Sequence, residues 1–351
     1  MVKSILERYA DLLPLNDTTP RITIGECDTP LVKSSSIGPE LGCNLYFKVE
    51  GANPSGSFKD RGMVMAIAHG IERGYKKIVC ASTGNTSASA AAFGAHHNLE
   101  TLVLIPDGKI AGGKLAQAMA YGARIVQVNG NFDDAYKIVR RMGEEQGDVL
   151  VVNSINPSRL QGQKTAAFEI IDEIGDAPDY HCIPVGNGGN ISSYWYGYKE
   201  YHQEAKRSTK LPKMFGFQAI GSAPIVEGRV FENPETVATA IRIGNPVQWQ
   251  AARAAADDSG GNVFARTDEQ IVAAYLRMAG EEGVFCEPAA AASVAGVLSL
   301  PERGVELEGR TVVCTLTGNG LKDPNSAEEY AKASISKLDI NDPQQLRDLL
   351  N

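Results

Sequence analysis

Short apolar runs of strand length alternate with helical patterns along most of the chain, and this alternation restricts the fold more than any other feature. The apolar runs lie at residues 45–49, 77–81, 101–105, 124–128, 150–153, 180–185, 214–219 and 310–316. The helical patterns lie at residues 62–73, 86–96, 110–121, 132–146, 162–174, 191–205, 268–282 and 288–299. Strands and helices in this order are typical of parallel sheets covered by helices, so the sequence predicts an α/β fold.

The length of the chain, 351 residues, is enough for two lobes. Residues 77–153 contain four of the predicted strands and three of the predicted helices, so they can form a compact unit. We therefore predict a smaller α/β domain at residues 59–156. Residues 1–58 and 157–351 are expected to form a larger, discontinuous domain.

Charge and composition argue against several classes of partner. The chain has 34 lysine and arginine residues against 42 acidic residues, and its formal net charge of −8 predicts no nucleic-acid or membrane partner. No apolar run reaches the ~18 residues of a membrane span. Residues 1–15 are expected to form an amphipathic helix without the apolar core of a signal peptide, and residues 339–351 a surface helix. These features predict a cytoplasmic protein.

The six cysteines and five histidines form no pattern of metal ligands, so we predict no metal site. The cysteines are scattered and include no Cys-x-x-Cys pair, which is typical of small buried side chains in a reducing compartment. A disulfide between Cys27 and Cys43 is the alternative.

Residues 53–63 read Asn-Pro-Ser-Gly-Ser-Phe-Lys-Asp-Arg-Gly-Met and place Lys59 between a turn and an apolar helical run. Partial desolvation and the positive end of a helix dipole both favour the neutral amine of such a lysine. A neutral amine is what covalent chemistry with an aldehyde requires. The alternative is that Lys59 and Arg61 are solvated charges on a surface turn.

Two polar loops follow apolar runs. Residues 82–89 read Ser-Thr-Gly-Asn-Thr-Ser-Ala-Ser, and residues 186–190 read Gly-Asn-Gly-Gly-Asn. Both loops are expected at the carboxyl ends of strands, where open α/β sheets bind their ligands. A loop rich in glycine and asparagine can turn several backbone N–H groups toward an anion. A tight turn and a capped helix start are the alternatives for these two loops.

Taken together, these three segments resemble the pyridoxal-phosphate enzymes of the tryptophan-synthase-β type, and most closely their threonine synthase branch. The resemblance runs from Asp-Thr-Pro-Leu at residues 28–31 to Thr-Gly-Asn-Gly-Leu-Lys-Asp-Pro at residues 317–324. The wording of residues 53–63 is specific for that branch. The resemblance implies fold type II, in which two doubly wound domains with mostly parallel sheets hold pyridoxal 5'-phosphate in the cleft between them.

The resemblance also implies roles for individual residues toward the cofactor. Lys59 would bind the cofactor aldehyde and become the catalytic base once it is released. Asn85 would bind the 3'-oxygen, with a helix cap as its alternative role. Thr317 would meet the pyridine nitrogen, with Thr315 as a competitor. The cofactor phosphate would be held by Gly186, Asn187, Gly188, Gly189 and Asn190.

The substrate implied by the resemblance is O-phospho-L-homoserine, which carries an α-carboxylate and a phosphate. The carboxylate would be held by Ser82, Thr83 and Thr86. Arg159 would be the main charge on the phosphate, because arginine matches phosphate geometry. Its partners there would be Asn153, Ser154 and Asn187. Lys109 and Lys114 are better explained as solvated lysines, and Glu287 resembles a family position to which no role is assigned.

The implied reaction is a γ-elimination of phosphate followed by addition of water at Cβ, which yields L-threonine, and the family suggests a homodimer. The alternatives are a threonine or serine dehydratase, a cysteate-synthase-like enzyme that uses phosphoserine, and a non-catalytic phosphometabolite-binding protein. Arg159 and the wording around Lys59 argue against the dehydratases. They argue less strongly against a phosphoserine enzyme, which also needs a phosphate site.

Overall fold

The computed structural model of the chain describes residues 4–107, 112–130 and 132–331, in which ten strands form two sheets. The strands are β1 (Leu31–Lys33), β2 (Asn44–Val49), β3 (Lys77–Ala81), β4 (Glu100–Pro106), β5 (Arg124–Val128), β6 (Val149–Val151), β7 (Tyr180–Pro184), β8 (Lys213–Ala219), β9 (Asn262–Arg266) and β10 (Thr311–Leu316). The helices are α1 (Ile5–Arg8), α2 (Ile37–Glu40), α3 (Lys59–Glu72), α4 (Asn85–His96), α5 (Gly112–Ala120), α6 (Phe132–Glu145), α7 (Pro157–Gln163), α8 (Thr165–Ile174), α9 (Gly189–Gln203), α10 (Pro224–Glu227), α11 (Trp249–Asp258), α12 (Asp268–Gly280), α13 (Pro288–Leu298) and α14 (Pro324–Tyr330). None of the helices in these described ranges has the length and apolarity needed to cross a membrane.

The larger sheet has six strands in the order β1-β2-β10-β7-β8-β9, all parallel except for β1, which runs antiparallel to β2. Successive side chains of a strand point to opposite faces. Ile183 and Val313 accordingly pack into the cluster that contains residues of α9 and α11, whereas their neighbours Cys182 and Cys314 pack against α13. Both faces of this sheet are therefore buried.

The smaller sheet has four parallel strands in the order β5-β4-β3-β6. One face packs against α6 through Val79 and Leu104, and the other packs against α3 and α4 through Ile78 and Cys80. The two sheets confirm the predicted α/β fold with mostly parallel strands. The boundaries of the two predicted domains stay predictions.

Two glycines bring α3 and α7 into backbone contact one turn after each helix begins. A Cβ atom on Gly162 would lie 1.9 Å from the backbone oxygen of Arg61, and a Cβ on Gly62 would lie 2.8 Å from the backbone oxygen of Arg159. No larger residue fits at such distances, so the first turns of the two helices lie side by side. Lys59 and Arg159, each three residues before its glycine, are thereby brought to the same place.

Some predicted elements differ from the structure. In the described part of the predicted helix at residues 1–15, α1 ends at Arg8 and a 3-10 turn follows at Ala10–Leu12. Pro14 lacks the N–H group that a longer helix would use there. The predicted helix at residues 162–174 is two helices, α7 and α8, which meet at Lys164. Lys109, the side chain of Lys114 and the predicted helix at residues 339–351 lie outside the described residues.

Arg61 is not a solvated surface charge, so that part of the alternative interpretation is wrong. Its side chain is 1% exposed and forms ion pairs with Glu50 at 2.7 Å and with Glu169 at 2.6 Å. The buried amine of Lys48 lies 2.7 Å from the same Glu169 carboxylate. Thr29 adds a hydroxyl that donates to Glu50 at 2.7 Å. This buried ionic cluster connects α3 with β2 and α8.

All six cysteines are free thiols, so the alternative of a disulfide between Cys27 and Cys43 is wrong. Five of the six are buried, and only Cys43 is partly exposed. Burial raises the pKa of the Cys80 and Cys286 thiols to about 12, which leaves both protonated at neutral pH. The cysteines therefore act as small core side chains, as predicted.

Candidate active site

The candidate site lies where the carboxyl ends of strands from both sheets meet the start of α3. The loop at residues 82–84 follows β3, the loop at residues 185–188 follows β7, and Thr317 follows β10. Thr317 also contacts the residue before Lys59, because its backbone oxygen accepts a hydrogen bond from the N–H of Phe58 at 3.0 Å. Strand ends of parallel sheets are the usual ligand sites of such folds.

Lys59 is the first residue of α3, and its side chain is half-buried. Its amine lies 4.1 Å from the centre of the Phe58 ring. Among the described residues, nothing forms a hydrogen bond or an ion pair with this amine. Burial and, to a smaller extent, the charge of Arg159 lower the pKa of Lys59 to about 7, against the opposing charge of Glu287. The half-buried position of Lys59 and its lowered pKa argue against the alternative of a solvated surface lysine.

Arg159 is 1% exposed and lies in α7. One terminal nitrogen donates to the backbone oxygen of Val152 at 2.9 Å, while Nε has no hydrogen-bond partner. No carboxylate in the described ranges pairs with this guanidinium. Burial consequently lowers the pKa of Arg159 to about 10, so the group is still a cation at neutral pH. Burying a cation without a counter-ion is costly, and an anionic ligand would offset that cost, so Arg159 is a candidate anion-binding residue.

Glu287 joins two of the predicted cofactor-binding residues. Its carboxylate accepts hydrogen bonds from the Asn85 amide at 3.1 and 3.3 Å and from the Thr317 hydroxyl at 3.2 Å. Gly84, rather than Asn85, is the N-cap of α4, so the alternative of Asn85 as a helix cap is wrong. Thr315 lies in the core, where its hydroxyl is 2.9 Å from a ring nitrogen of His181, and this favours Thr317 as the residue that faces the site.

The loop after β7 has the conformation of an anion cradle. Gly188 has a φ of +85° and is the N-cap of α9, and a Cβ atom there would lie 2.6 Å from the backbone oxygen of Gln248. Asn190 is 9% exposed, and neither the nitrogen nor the oxygen of its side-chain amide has a hydrogen-bond partner. Helix N-termini bind anions through such free N–H groups. Gly186 and Gly189 complete this loop. The backbone oxygen of Asn187 accepts a hydrogen bond from the N–H of Gln248 at 3.0 Å.

The predicted carboxylate loop is accessible. Ser82, Thr83 and Thr86 are all half-buried at the start of α4, and the hydroxyl of Ser82 accepts the N–H of Gly84 at 3.2 Å. Ser82 thus holds Gly84, the N-cap residue of α4, while the first N–H groups of the helix have no partner within the helix.

Asn153 and Ser154 form the next loop along the smaller sheet. The amide of Asn153 pairs with both backbone groups of Ala81, donating at 2.9 Å and accepting at 3.1 Å. Asn153 therefore fastens the loop at residues 153–156 to the end of β3. One N–H of its amide is left over for a ligand. Ser154 is half-buried and stays a predicted phosphate contact.

Several residues that support the site were not predicted. Asp60 is buried and accepts hydrogen bonds from the backbone and hydroxyl of Ser55 and from the hydroxyl of Ser89 at 2.5–2.7 Å. Lys322 donates to the backbone oxygen of Ser55 at 2.9 Å and also binds the Gln117 side chain. The sequence signal for these two residues was their position inside the motifs, because Asp60 follows Lys59 and Lys322 lies five residues after Thr317.

Comparisons with known proteins agree with this arrangement. A family model described as pyridoxal-phosphate dependent enzyme matches residues 22–318. A threonine synthase from Halalkalibacterium halodurans is 53% identical over 339 residues, covering 97% of this chain and 93% of the relative. One from Mycobacterium tuberculosis is 52% identical over 323 residues, covering 92% and 89%. The solved structure of maize serine racemase superposes with a TM-score of 0.73 at 23% identity, covering 87% of this chain and 92% of that one, which supports the fold alone.

The lowered pKa of Lys59 predicts how this amine reacts in cofactor-free protein. Only a neutral amine is acylated, so labelling of Lys59 should rise through a midpoint near pH 7, whereas an ordinary lysine has a pKa of about 10.4. Labelling is measured by peptide mass spectrometry, with the exposed Lys137 as reference.

A paired variant tests the cause of this shift. Arg159→Ala should raise the labelling midpoint, because the charge of Arg159 lowers the pKa of Lys59. Arg140→Ala, which removes an exposed arginine of α6, should leave it unchanged. A midpoint above pH 9 in the unmodified chain would contradict the desolvation of Lys59.

Proposed function

The chain belongs to the pyridoxal-phosphate dependent enzymes and, within them, to the threonine synthases, and we propose that it converts O-phospho-L-homoserine and water to L-threonine and phosphate. It is a lyase whose cofactor is pyridoxal 5'-phosphate. The observation that carries the proposed substrate is the buried, uncompensated cation of Arg159 beside the half-buried amine of Lys59. A substrate that carries a phosphate needs a cation near its phosphate group, and Arg159 provides that cation beside the proposed base Lys59.

The residues at the site fit this cofactor. Lys59 offers an amine to which no residue in the described part of the chain forms a hydrogen bond, and this suits covalent binding of an aldehyde. The start of α9 at Gly188 and Gly189 offers free N–H groups to the cofactor phosphate, and the unpartnered amide of Asn190 lies beside them. We propose that Gly186 and Asn187 complete this cradle, and that Asn85 and Thr317 contact the 3'-oxygen and the ring nitrogen. When bound, the cofactor supplies an electron sink for the α-carbon of the substrate.

Lys59 is proposed to be the base of the reaction. Once the substrate amine has replaced it, the free amine would take the proton from Cα and release it before taking a second proton from Cβ, as phosphate leaves from Cγ. The two protons would return to Cγ and Cα. Water would add its hydroxyl at Cβ, and its remaining proton would go to the released phosphate. A pKa of about 7 suits this work, because the amine is neutral in a large share of molecules at neutral pH and still binds a proton well.

Two sets of groups are proposed to hold the two anionic ends of the substrate. The α-carboxylate binds at the start of α4, where Ser82, Thr83 and Thr86 are accessible. The phosphate binds Arg159, with donors from Asn153, Ser154 and Asn187. The charge of Arg159 assists departure of the phosphate because negative charge accumulates on it as the Cγ–O bond breaks.

The rival functions are less well supported. The dehydratases act on substrates without a phosphate and have no use for a buried guanidinium that lacks a carboxylate partner. A phosphoserine enzyme would use the same phosphate site, so the two phosphorylated substrates must be compared directly. A non-catalytic binding protein gives no reason for the desolvated amine of Lys59.

We also propose that the enzyme acts as a homodimer in the cytoplasm. Free, mostly buried cysteines support a reducing compartment. Exposed apolar side chains support a second copy: Tyr196 is 45% exposed, Val247 is 49% exposed and Trp249 is 47% exposed, on or beside the packed helices α9 and α11. Exposed apolar side chains on packed helices are candidate contacts for a protein partner.

The role of Lys59 is tested by Lys59→Ala. We expect loss of the visible absorption of lysine-bound cofactor and a fall in phosphate release of at least ~10³-fold, because the covalent anchor and the base are lost together. Release is measured with O-phosphohomoserine and with O-phosphoserine, and the exposed Lys137→Ala variant is the control. Full activity of Lys59→Ala would refute the mechanism, and faster turnover of phosphoserine would refute the substrate.

The phosphate site is tested by Arg159→Ala. We expect weaker substrate binding by ~2–4 kcal/mol, since a buried charge contact to the phosphate is removed. The measurement is KM and kcat for phosphate release, with Arg140→Ala as the matched control on the surface of α6. Unchanged KM and kcat would exclude Arg159 from the phosphate site.

The homodimer is tested by light scattering after size exclusion. The unmodified chain should give twice the mass of one chain. The double variant Val247→Glu and Trp249→Glu should shift the mass toward one chain, because buried carboxylates at a contact are costly. Ile138→Glu on α6, which changes an exposed residue elsewhere, should remain a dimer. A monomeric unmodified chain would disprove the proposal.

A further inference from the structure

Phe58 immediately precedes the proposed base, and the proposed function gives it no role. Its ring is half-buried, and the amine of Lys59 lies over the ring face, 4.1 Å from the ring centre. No residue in the described ranges forms a hydrogen bond or an ion pair with this amine. A ring face attracts a cation at such a distance, and it also attracts the N–H groups of a neutral amine, although more weakly. The ring is thus an attractive contact for Lys59 in either protonation state.

The backbone that carries the ring is held in place. The N–H of Phe58 donates to the backbone oxygen of Thr317 at 3.0 Å, and Phe58 is the N-cap residue of α3. The preceding Ser57 is fully buried and pairs with Gly318 in a β-bridge. A lysine side chain is longer and has more rotatable bonds than a phenylalanine. The ring therefore has a fixed position, and it is the amine of Lys59 that moves.

The charges around the amine do not hold it in this place. Burial disfavours an ammonium group and the charge of Arg159 repels it, which together lower the pKa of Lys59 to about 7. Glu287 favours the ammonium group, but the hydrogen bonds of its carboxylate go to other residues. The direct attractive contact that the structure shows for this amine, within the described ranges, is the face of the Phe58 ring.

The amine in this structure is free, and this is also its condition in the reaction once the substrate amine has replaced it. In that interval the base is neutral at one stage and carries a proton at another. A strong hydrogen-bond acceptor would favour the protonated form and would have to be left before each proton transfer. An aromatic ring neither gives nor takes a proton, so its face can hold both forms and release both.

We propose that the face of the Phe58 ring is the resting position of the released Lys59 amine, which makes Phe58 a positioning residue for the base. The inference rests on the proposed function, in which Lys59 is released and then transfers protons. The ring keeps the amine beside the site between these transfers, without a hydrogen bond that must first be broken. The attraction comes from the negative charge density on the ring face.

The test replaces Phe58 by phenylalanines that carry one, two or three fluorine atoms. These rings have nearly the same shape, but each fluorine withdraws charge from the ring face. Because the native ring favours the ammonium form, the midpoint of Lys59 acylation in cofactor-free protein should fall with each fluorine, by about one pH unit over the series. The control is the trifluorinated residue at the half-buried Phe264, whose ring centre lies 4.2 Å from the Arg303 guanidinium. It should leave the midpoint unchanged.

A second measurement locates the released amine in the holoenzyme. A substrate analogue in which CH₂ replaces the ester oxygen of O-phosphohomoserine cannot lose its phosphonate, so it keeps Lys59 released. A proton above a ring face resonates upfield, and the Lys59 methylene next to the amine should move upfield when this analogue binds. In Phe58→Leu, which has no ring, that displacement should disappear. The resonance is assigned with ¹³C-labelled lysine, by its absence from Lys59→Ala.

Two results would overturn the role of Phe58. One is an acylation midpoint that does not follow the number of fluorine atoms, since a purely steric role of the ring predicts no such trend. The other is a Lys59 methylene that shows no upfield displacement in the complex with the analogue. The proposed function fails separately, if the unmodified chain binds no cofactor or releases no phosphate from O-phosphohomoserine.

Discussion

Two buried arginines, one paired with carboxylates and one not, determine the arrangement of the site. Arg61 is balanced: with Lys48 it provides two cations for the two carboxylates of Glu50 and Glu169, all at hydrogen-bond distance. Removing one partner from such a cluster costs about 3–5 kcal/mol, because an uncompensated charge is left buried. The cluster therefore fixes the first turns of α3 and with them the place of Lys59.

Arg159 is equally buried, but no carboxylate of the described residues pairs with it. A buried cation without a carboxylate partner is costly, so the burial of Arg159 costs free energy that the proposed anionic ligand would offset. The uncompensated charge also acts on its neighbour, since it lowers the pKa of Lys59. The contact of α3 and α7 through Gly62 and Gly162 couples the two effects, because it places the unpaired cation beside the amine that it helps to keep neutral.

The sequence predicted the fold well, for a physical reason. Strands of a parallel sheet are buried on both faces and read as continuous apolar runs, as β7 and β10 do. The short β1 and the strand β9, which has Asn262 and Arg266 at its ends, lack this signal. The partners of Arg61 and Glu287 could not be predicted, because the burial of a charge is decided by residues distant in sequence. Glu287, for example, bonds Asn85, 202 residues away.

The hydrogen bond between Asn85 and Glu287 has a further consequence, because it joins the two sheets across the site. Asn85 begins a helix that packs on the smaller sheet, whereas Glu287 and Thr317 belong to the larger one. A movement of one sheet relative to the other would therefore disturb the Glu287 carboxylate and its bond to Thr317 together. The geometry of the proposed ring contacts is in this way tied to the separation of the two sheets. The proposed phosphate site at Arg159 lies beside the close contact of α3 and α7.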